Sequence, residues 1–365
     1  MADEANTRPV SIERRFGYRR SVLTFDPAAL DRLVRRSFGA PPRSVTPMPG
    51  GASTRRYFRV ELDGDRSAVA MFVPDARPEE VTTAGTEAAR WPFLEVAALL
   101  GERGVRVPVL HGESCDEGLL LIEDLGDETL AVFLERSPER KPEIYTTAVT
   151  DLARAQRALA DLPGGSVVRT RAFDEALLRW ELDHFREWGL DALDKALPAE
   201  DLATWNAIAD RLARRIAGWP RGFVHRDYQS RNLMVKRSAG AAELVWIDFQ
   251  DALLGPAVYD LVALLNDSYQ TFDRAFQEAR LDEYAAEIGL DAAGRERLGR
   301  EFDVLTVQRK LKDAGRFVFI DRVKKNPSFL PYFEPSIAKV RGALDRLRDE
   351  EDMRWIEGML RRVFG

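Results

Sequence analysis

One stretch of the chain holds the residues best placed to do chemistry. FVHRDYQSRNLMV carries His225, Asp227 and Asn232 in the spacing H-x-D-x4-N. LVWIDFQDALLGPAVYDLVALL then places Asp248-Phe249 at the end of an apolar run. That order matches the logic of phosphoryl transfer, in which a catalytic-loop aspartate and asparagine precede a metal-binding D-F pair. Such a reaction asks little covalent chemistry of the protein. The acceptor hydroxyl must be aimed, its proton accepted, and the phosphate charge neutralised. In this pattern Asp227 orients and deprotonates the acceptor. Asn232 offers an amide oxygen, and Asp248 a carboxylate, to a magnesium ion on the phosphates. Two protein ligands suffice because magnesium keeps several waters. A lone HxD pair or a lone DF carries little. The joint pattern, with both polar sets at the ends of apolar strands, points to a reaction. His225 reads as a group that orients the loop, and Arg226 as a solvated or ion-paired side chain.

The elements that must position these groups follow from length and patterning. A chain of 365 residues carries a prior of about two structural units. It has 54 basic and 60 acidic residues, net -6, which argues against a nucleic-acid or membrane-surface partner. One cysteine, Cys115, cannot form an internal disulfide, and with three histidines it is too little for a zinc cluster. No run of 18 apolar residues suggests a membrane span. The polar start MADEANTRPVSIERRFGYRRS has no apolar central run, so residues 1–20 are expected to be a mobile segment and not a secretory signal. A cytoplasmic enzyme is the expected class.

Period-2 patterning is concentrated early. RRYFRVEL and SAVAMFVP read as strands joined by a DGDR turn, and WPFLEVAALLGERG as a helix. VPVLHGES and EGLLLIEDLG read as two more strands. Beyond Gly126 the pattern is mostly helical, over 127–161, 172–196 and 199–217, and again from Tyr259 onward. The expected fold class is α+β. A small antiparallel-sheet lobe over 21–125 precedes a larger helical lobe over 126–365.

The wording HRDYQSRNLM, IDFQDALLGP and YDLVALL resembles the aminoglycoside phosphotransferase and choline kinase superfamily. It is closest to the bacterial anomeric kinases that phosphorylate N-acetylmuramate and N-acetylglucosamine at the C1 hydroxyl. GGASTRRYFRV, GLLLIEDLG, LLRWELDHFREW and QRKLKDAGRF fit the same subgroup, over residues 45 to 335. The resemblance implies a bilobal protein-kinase-like fold, ATP as phosphoryl donor with Mg2+, and a small hydroxylated acceptor, in the service of cell-wall sugar recycling. It implies that Asp260, in the DL motif, supports the catalytic loop, and that Glu123 and Leu125 form the adenine-reading hinge through their main chain.

On the nucleotide side, Gly50, Gly51, Ser53 and Thr54 in MPGGAST read as a phosphate-covering loop. Protein kinases carry a lysine on the third strand, and SAVAMFVP has none. Met71 stands in its place, and Glu95 is set like the helix glutamate without a matching partner. Arg55 or Arg56 is the expected substitute, because a guanidinium forks onto phosphate oxygens. On the acceptor side, Leu177, Leu178, Glu181, His184, Phe185 and Trp188 share a helical stripe. Glu181 there either bonds a buried arginine or faces a polar ligand, and Trp188 offers a platform for a sugar face. Arg231 and Gln250 flank the catalytic groups, and Arg231 suits the carboxylate of a sugar acid. Two other readings stay open at this point: a kinase for an aminoglycoside-like or choline-like alcohol, and a nucleotide-binding pseudokinase module.

Overall fold

The computed structural model describes residues 23–49, 54–74, 91–238 and 241–365. The α+β expectation holds. Among the described residues the chain divides into two compact units. One combines those within Met1–Arg77 with Val109–Asp124, and the other those within Pro78–Pro108 with Leu125–Gly365.

The first unit is one helix on one sheet. It comprises α1 (Pro27–Phe38), β1 (Ser44–Pro47), β2 (Arg56–Glu61), β3 (Ser67–Phe72), β4 (Leu110–Ser114) and β5 (Leu119–Glu123). The strands form an antiparallel sheet in the order β1-β2-β3-β5-β4. Alternation decides which face is covered. Phe58, Val60, Ala68, Ala70, Phe72, Leu119 and Leu121 meet Ala29, Leu30, Leu33 and Val34 of α1 in one core. Asp26 caps that helix, its carboxylate accepting from the Ala28 N–H at 2.9 Å. Met71 is on the other face, buried, in register with Tyr57 and Leu120.

The second unit holds α2 (Pro92–Glu102), α3 (Leu130–Arg136), α4 (Lys141–Ala158), α5 (Glu175–His184) and α6 (Ala199–Ala217). Two short hairpin-like pairs follow: β6 (Arg221–Val224) with β9 (Leu253–Pro256), and β7 (Leu233–Ser238) with β8 (Ala241–Trp246). The chain then runs through α7 (Val258–Leu265), α8 (Arg274–Ile288), α9 (Ala292–Lys324), α10 (Phe333–Arg346) and α11 (Glu351–Phe364). Expected long helices are interrupted at particular residues. Pro138 and Pro142 separate α3 from α4 through a short turn, since proline suits a first helical turn and not a middle one. Past His184, α5 widens into a π-helical turn over Phe185–Leu190. No helix among the described residues is long and apolar enough to cross a membrane.

The 33-residue α9 is the axis of this unit, with Phe302, Leu305, Leu311, Ala314 and Val318 all buried. Every residue from Phe302 to Leu311 is buried, Asp303, Gln308, Arg309 and Lys310 included, so the middle of the helix is enclosed on all sides despite its charges. It crosses the π-helical turn at Gly315, where a Cβ would lie 2.7 Å from the His184 carbonyl oxygen and 2.8 Å from the Phe185 Cα. Both are backbone atoms that cannot swing aside. Gly315→Ala is expected to cost about 1–3 kcal/mol, read as a lowered urea midpoint; an unchanged midpoint would show that the crossing relaxes freely.

Candidate active site

The segment from His225 to Asn232 links β6 to β7 with only one turn of 3-10 helix, Ser230–Asn232. Its buried backbone groups therefore need partners elsewhere. Asp260, in the first turn of α7, supplies them at one end. Its two oxygens accept from the His225 N–H at 2.7 Å and the Arg226 N–H at 3.0 Å. Burial pushes this carboxyl up to about 7, while the two N–H donors and Arg309 favour its ionised form. Seven residues on, Asp267 does the same at the other end. One of its oxygens accepts from the Ser230 N–H at 2.8 Å and the Ser230 hydroxyl at 2.5 Å, and the other from the Tyr269 N–H at 3.0 Å.

His225 is fully buried. Its Nε2 lies 3.0 Å from the Ile247 carbonyl and therefore donates, which leaves Nδ1 to accept from the Asp227 N–H at 3.3 Å. Burial lowers its pKa, although Asp227 and Asp248 pull the other way. The ring is thus a neutral strut between the two loops, as an orienting group should be. Of the two alternatives for Arg226, solvated or ion-paired, the solvated one does not hold: the residue is buried, and its φ of +81° lies in the left-handed region that costs a non-glycine residue.

Asn232 donates from Nδ2 to the Asp227 carbonyl at 2.9 Å. That bond turns the amide so that its oxygen is the atom left over. The Asn232 carbonyl accepts from the Ile247 N–H at 3.0 Å, which sets Asp248 next to this end of the loop. Asp248 also adopts a positive φ, +63°. Its Oδ1 accepts from Gln250 Nε2 at 2.9 Å, and Gln250 spans to Asp251 at 3.1 Å. Phe249 anchors the turn, fully buried with its ring 5.0 Å from Phe93. An amide oxygen and a carboxylate are hard oxygen donors, so this pair fits magnesium better than a soft metal. Among the described residues no three His, Cys, Asp or Glu side chains gather into a metal-binding group.

The Asp227 side chain is 39% exposed, open enough to meet an acceptor, and its Oδ1 lies 3.4 Å from Arg309 Nη2. Burial pushes the carboxyl up, but Arg309, Arg226 and Lys312 outweigh it and hold it below its ordinary value. On α9, Lys310 donates to Asp313 at 2.7 Å and to the Ser268 hydroxyl at 2.6 Å, and Lys312 stands 3.0 Å from the other Asp313 oxygen. Burial opposes the Asp313 charge, yet Lys310, Lys312 and Arg309 keep it well below the usual carboxylate range.

The remaining expected residues separate. Glu181 is fully buried, and its partner is no arginine: it accepts from Gln308 Nε2 at 2.8 Å, tying α5 to α9. Trp188 packs edge-on to Phe319 at 5.1 Å. Arg231 is exposed, its guanidinium 3.5 Å over Tyr269 and donating to the Tyr332 hydroxyl at 3.2 Å. In the first unit, Arg56 is 5.2 Å over both Phe25 and Phe72, and Thr54 is exposed. Gly50, Gly51 and Ser53 lie outside the described residues. Glu123 closes the sheet against Val109, accepting its N–H at 3.1 Å and donating its own to the Val109 carbonyl at 2.8 Å. Its neighbour Asp124 forks with Arg59 of β2 at 2.8 and 3.3 Å. Glu95 does have a partner, a backbone one: it accepts from the Val167 N–H at 2.5 Å.

Sequence reasoning missed Asp267 and Arg309. The first had a signal, since two helical turns separate it from Asp260 in YDLVALLND. The second lies in QRKLKD, a charged run in the enclosed middle of α9.

Residues 44–319 match the model of the phosphotransferase enzyme family. The chain belongs to that family. A relative from Pseudomonas aeruginosa, an N-acetylmuramate/N-acetylglucosamine kinase, is 36% identical over 82% of this chain and 85% of its own. One of the same name from Pseudomonas putida is 31% identical over 85% and 87%. Among solved structures, a microcompartment-associated aminopropanol kinase superposes with a TM-score of 0.58 at 16% identity, covering 89% of this chain and 98% of that one. The phosphotransferase shares its fold with that protein, as the α+β expectation requires.

Removing either carboxylate anchor should loosen the loop. Asp267→Ala leaves the Ser230 N–H and hydroxyl without their acceptor, which should cost the phosphotransferase about 1–3 kcal/mol. Amide exchange at Ser230 should accelerate with it; protection equal to wild type would mean the anchor is dispensable.

Proposed function

We propose that this phosphotransferase uses ATP with Mg2+ to phosphorylate the anomeric C1 hydroxyl of an N-acetylated amino sugar, N-acetylmuramate or N-acetylglucosamine. The observation that carries the reading is the knitted pair of loops. Asn232 bonds the Asp227 carbonyl, and the Asn232 main chain pairs with Ile247 beside Asp248, so base and metal donors belong to one rigid unit. The 36% identity to the Pseudomonas aeruginosa sugar kinase supports the choice of acceptor.

Asp227 accepts a hydrogen bond from the sugar hydroxyl and takes its proton as that oxygen bonds to the terminal phosphorus of ATP and the bond from this phosphorus to the bridging oxygen breaks, releasing ADP. A carboxylate held ionised is a weak base, which suits this task. The anomeric hydroxyl is more acidic than an ordinary alcohol, and phosphoryl transfer needs its nucleophile aimed more than fully deprotonated. Asn232 Oδ1 and the Asp248 carboxylate would hold Mg2+, which when bound neutralises phosphate charge. Gln250, donating to Asp248, keeps that carboxylate turned. Arg231, steadied by two tyrosine rings, is the group proposed to meet the lactyl carboxylate of N-acetylmuramate.

Two measurements test this. Asp227→Asn should lower kcat by at least about 10²-fold, the span of one lost general base, with ADP binding by calorimetry nearly intact; a kcat within a few-fold of wild type would refute the assignment. In an acceptor panel with the phosphorylated position assigned by phosphorus NMR, Arg231→Ala should raise KM for N-acetylmuramate more than for N-acetylglucosamine. Equal effects on both sugars would detach Arg231 from the carboxylate.

A further inference from the structure

Arg309 is 3% exposed on the central helix and touches the catalytic loop at two points. Its Nη1 donates to the Arg226 carbonyl at 2.9 Å, and its Nη2 stands 3.4 Å from Asp227 Oδ1. Its guanidinium carbon lies 4.5 Å over the Tyr259 ring, which fixes the plane of the fork. Arg226 is the residue with the left-handed backbone. Its N–H is already held by Asp260, so Arg309 completes a clamp on both polar groups of the strained residue that precedes the base. The same fork occupies one oxygen of the base and leaves the other open.

We propose that Arg309 is a positioning residue for phosphoryl transfer. Its fork sets the Arg226 backbone and holds Asp227 Oδ1, so that Oδ2 is the atom presented to the acceptor hydroxyl. A planar fork serving a carbonyl and a carboxylate at once cannot be replaced by a point charge. The inference rests on the function proposed above, and it separates two reactions of that site. Aiming a sugar hydroxyl needs Asp227 in place, whereas loss of the terminal phosphoryl group to water depends chiefly on the nucleotide and its metal.

The test uses the full chain and the variants Arg309→Met and Arg309→Lys, with N-acetylglucosamine as acceptor. Sugar phosphate formation and acceptor-free ATP hydrolysis are measured separately. Arg309→Met should lower kcat for the sugar by about 10²-fold, the scale of a misaimed group, with KM for ATP and the hydrolysis rate unchanged. Arg309→Lys should recover only a small part, and added methylguanidinium should rescue Arg309→Met. Sugar transfer and hydrolysis falling together in either variant, or full recovery by lysine, would overturn the proposal. Should wild type phosphorylate no sugar, the function above fails instead. Crystal structures of the two variants then decide: an Arg226–Asp227 backbone and side chain that have turned support the clamp, and an unaltered pair in both overturns it.

Discussion

A loop with no ladder of its own must borrow hydrogen-bond acceptors, and here two buried carboxylates lend them. Asp260 holds the His225 and Arg226 amides and Asp267 holds Ser230, so both ends of the segment bearing Asp227 are pinned to α7 and the residues just after it. Burying a carboxylate is costly unless its oxygens are occupied. Each of these accepts two or more bonds, and that full occupancy makes the arrangement rigid. The left-handed backbones at Arg226 and Asp248 are states a free loop would leave. They persist because the surroundings over-determine them.

The second constraint is charge. Arg309, Lys310 and Lys312 sit within four residues on one helix, with Asp313 directly after them. Cations outnumber anions on this stretch, and a low-dielectric interior magnifies the excess. The consequence reaches the base itself: Asp227 stays ionised although burial favours its neutral form. A group so held does not wait for a proton to leave before it can accept a hydrogen bond. Function then depends on where its open oxygen points, which links the electrostatics of α9 to the geometry of the loop.

The motif residues were legible from spacing alone, because H-x-D-x4-N and D-F encode local backbone requirements. On that account His225 and Asn232 bond within the loop that carries them, while the loop-supporting role of Asp260 was implied by the resemblance of its DL motif and not by spacing. The alternation of β2 and β3 was legible as well, since a covered sheet face imposes period 2 on Phe58, Val60, Ala68 and Ala70. The rest was hidden for physical reasons. The bond from Gln308 to Glu181 spans 127 positions, and no local pattern records a pairing across helices. Arg309 was invisible for the same reason. The burial and left-handed backbone of Arg226 were hidden too, because a positive φ has no signature in an arginine.

The missing lysine is best understood from the strand itself. Met71 faces Tyr57 and Leu120 in register and is buried. A lysine there would have to bury its ammonium among apolar neighbours, and Arg59, on the same strand face, is already forked onto Asp124. Arg56 lies over the Phe25 and Phe72 rings, a placement that fixes a guanidinium without discharging it. It therefore keeps its capacity to meet an anion, though from an exposed strand end rather than from the sheet centre. Within the second unit, the fixed positive charge around Asp227 comes from Arg309 and Lys312 of α9 together with Arg226, and it is this charge that keeps the carboxyl ionised against burial.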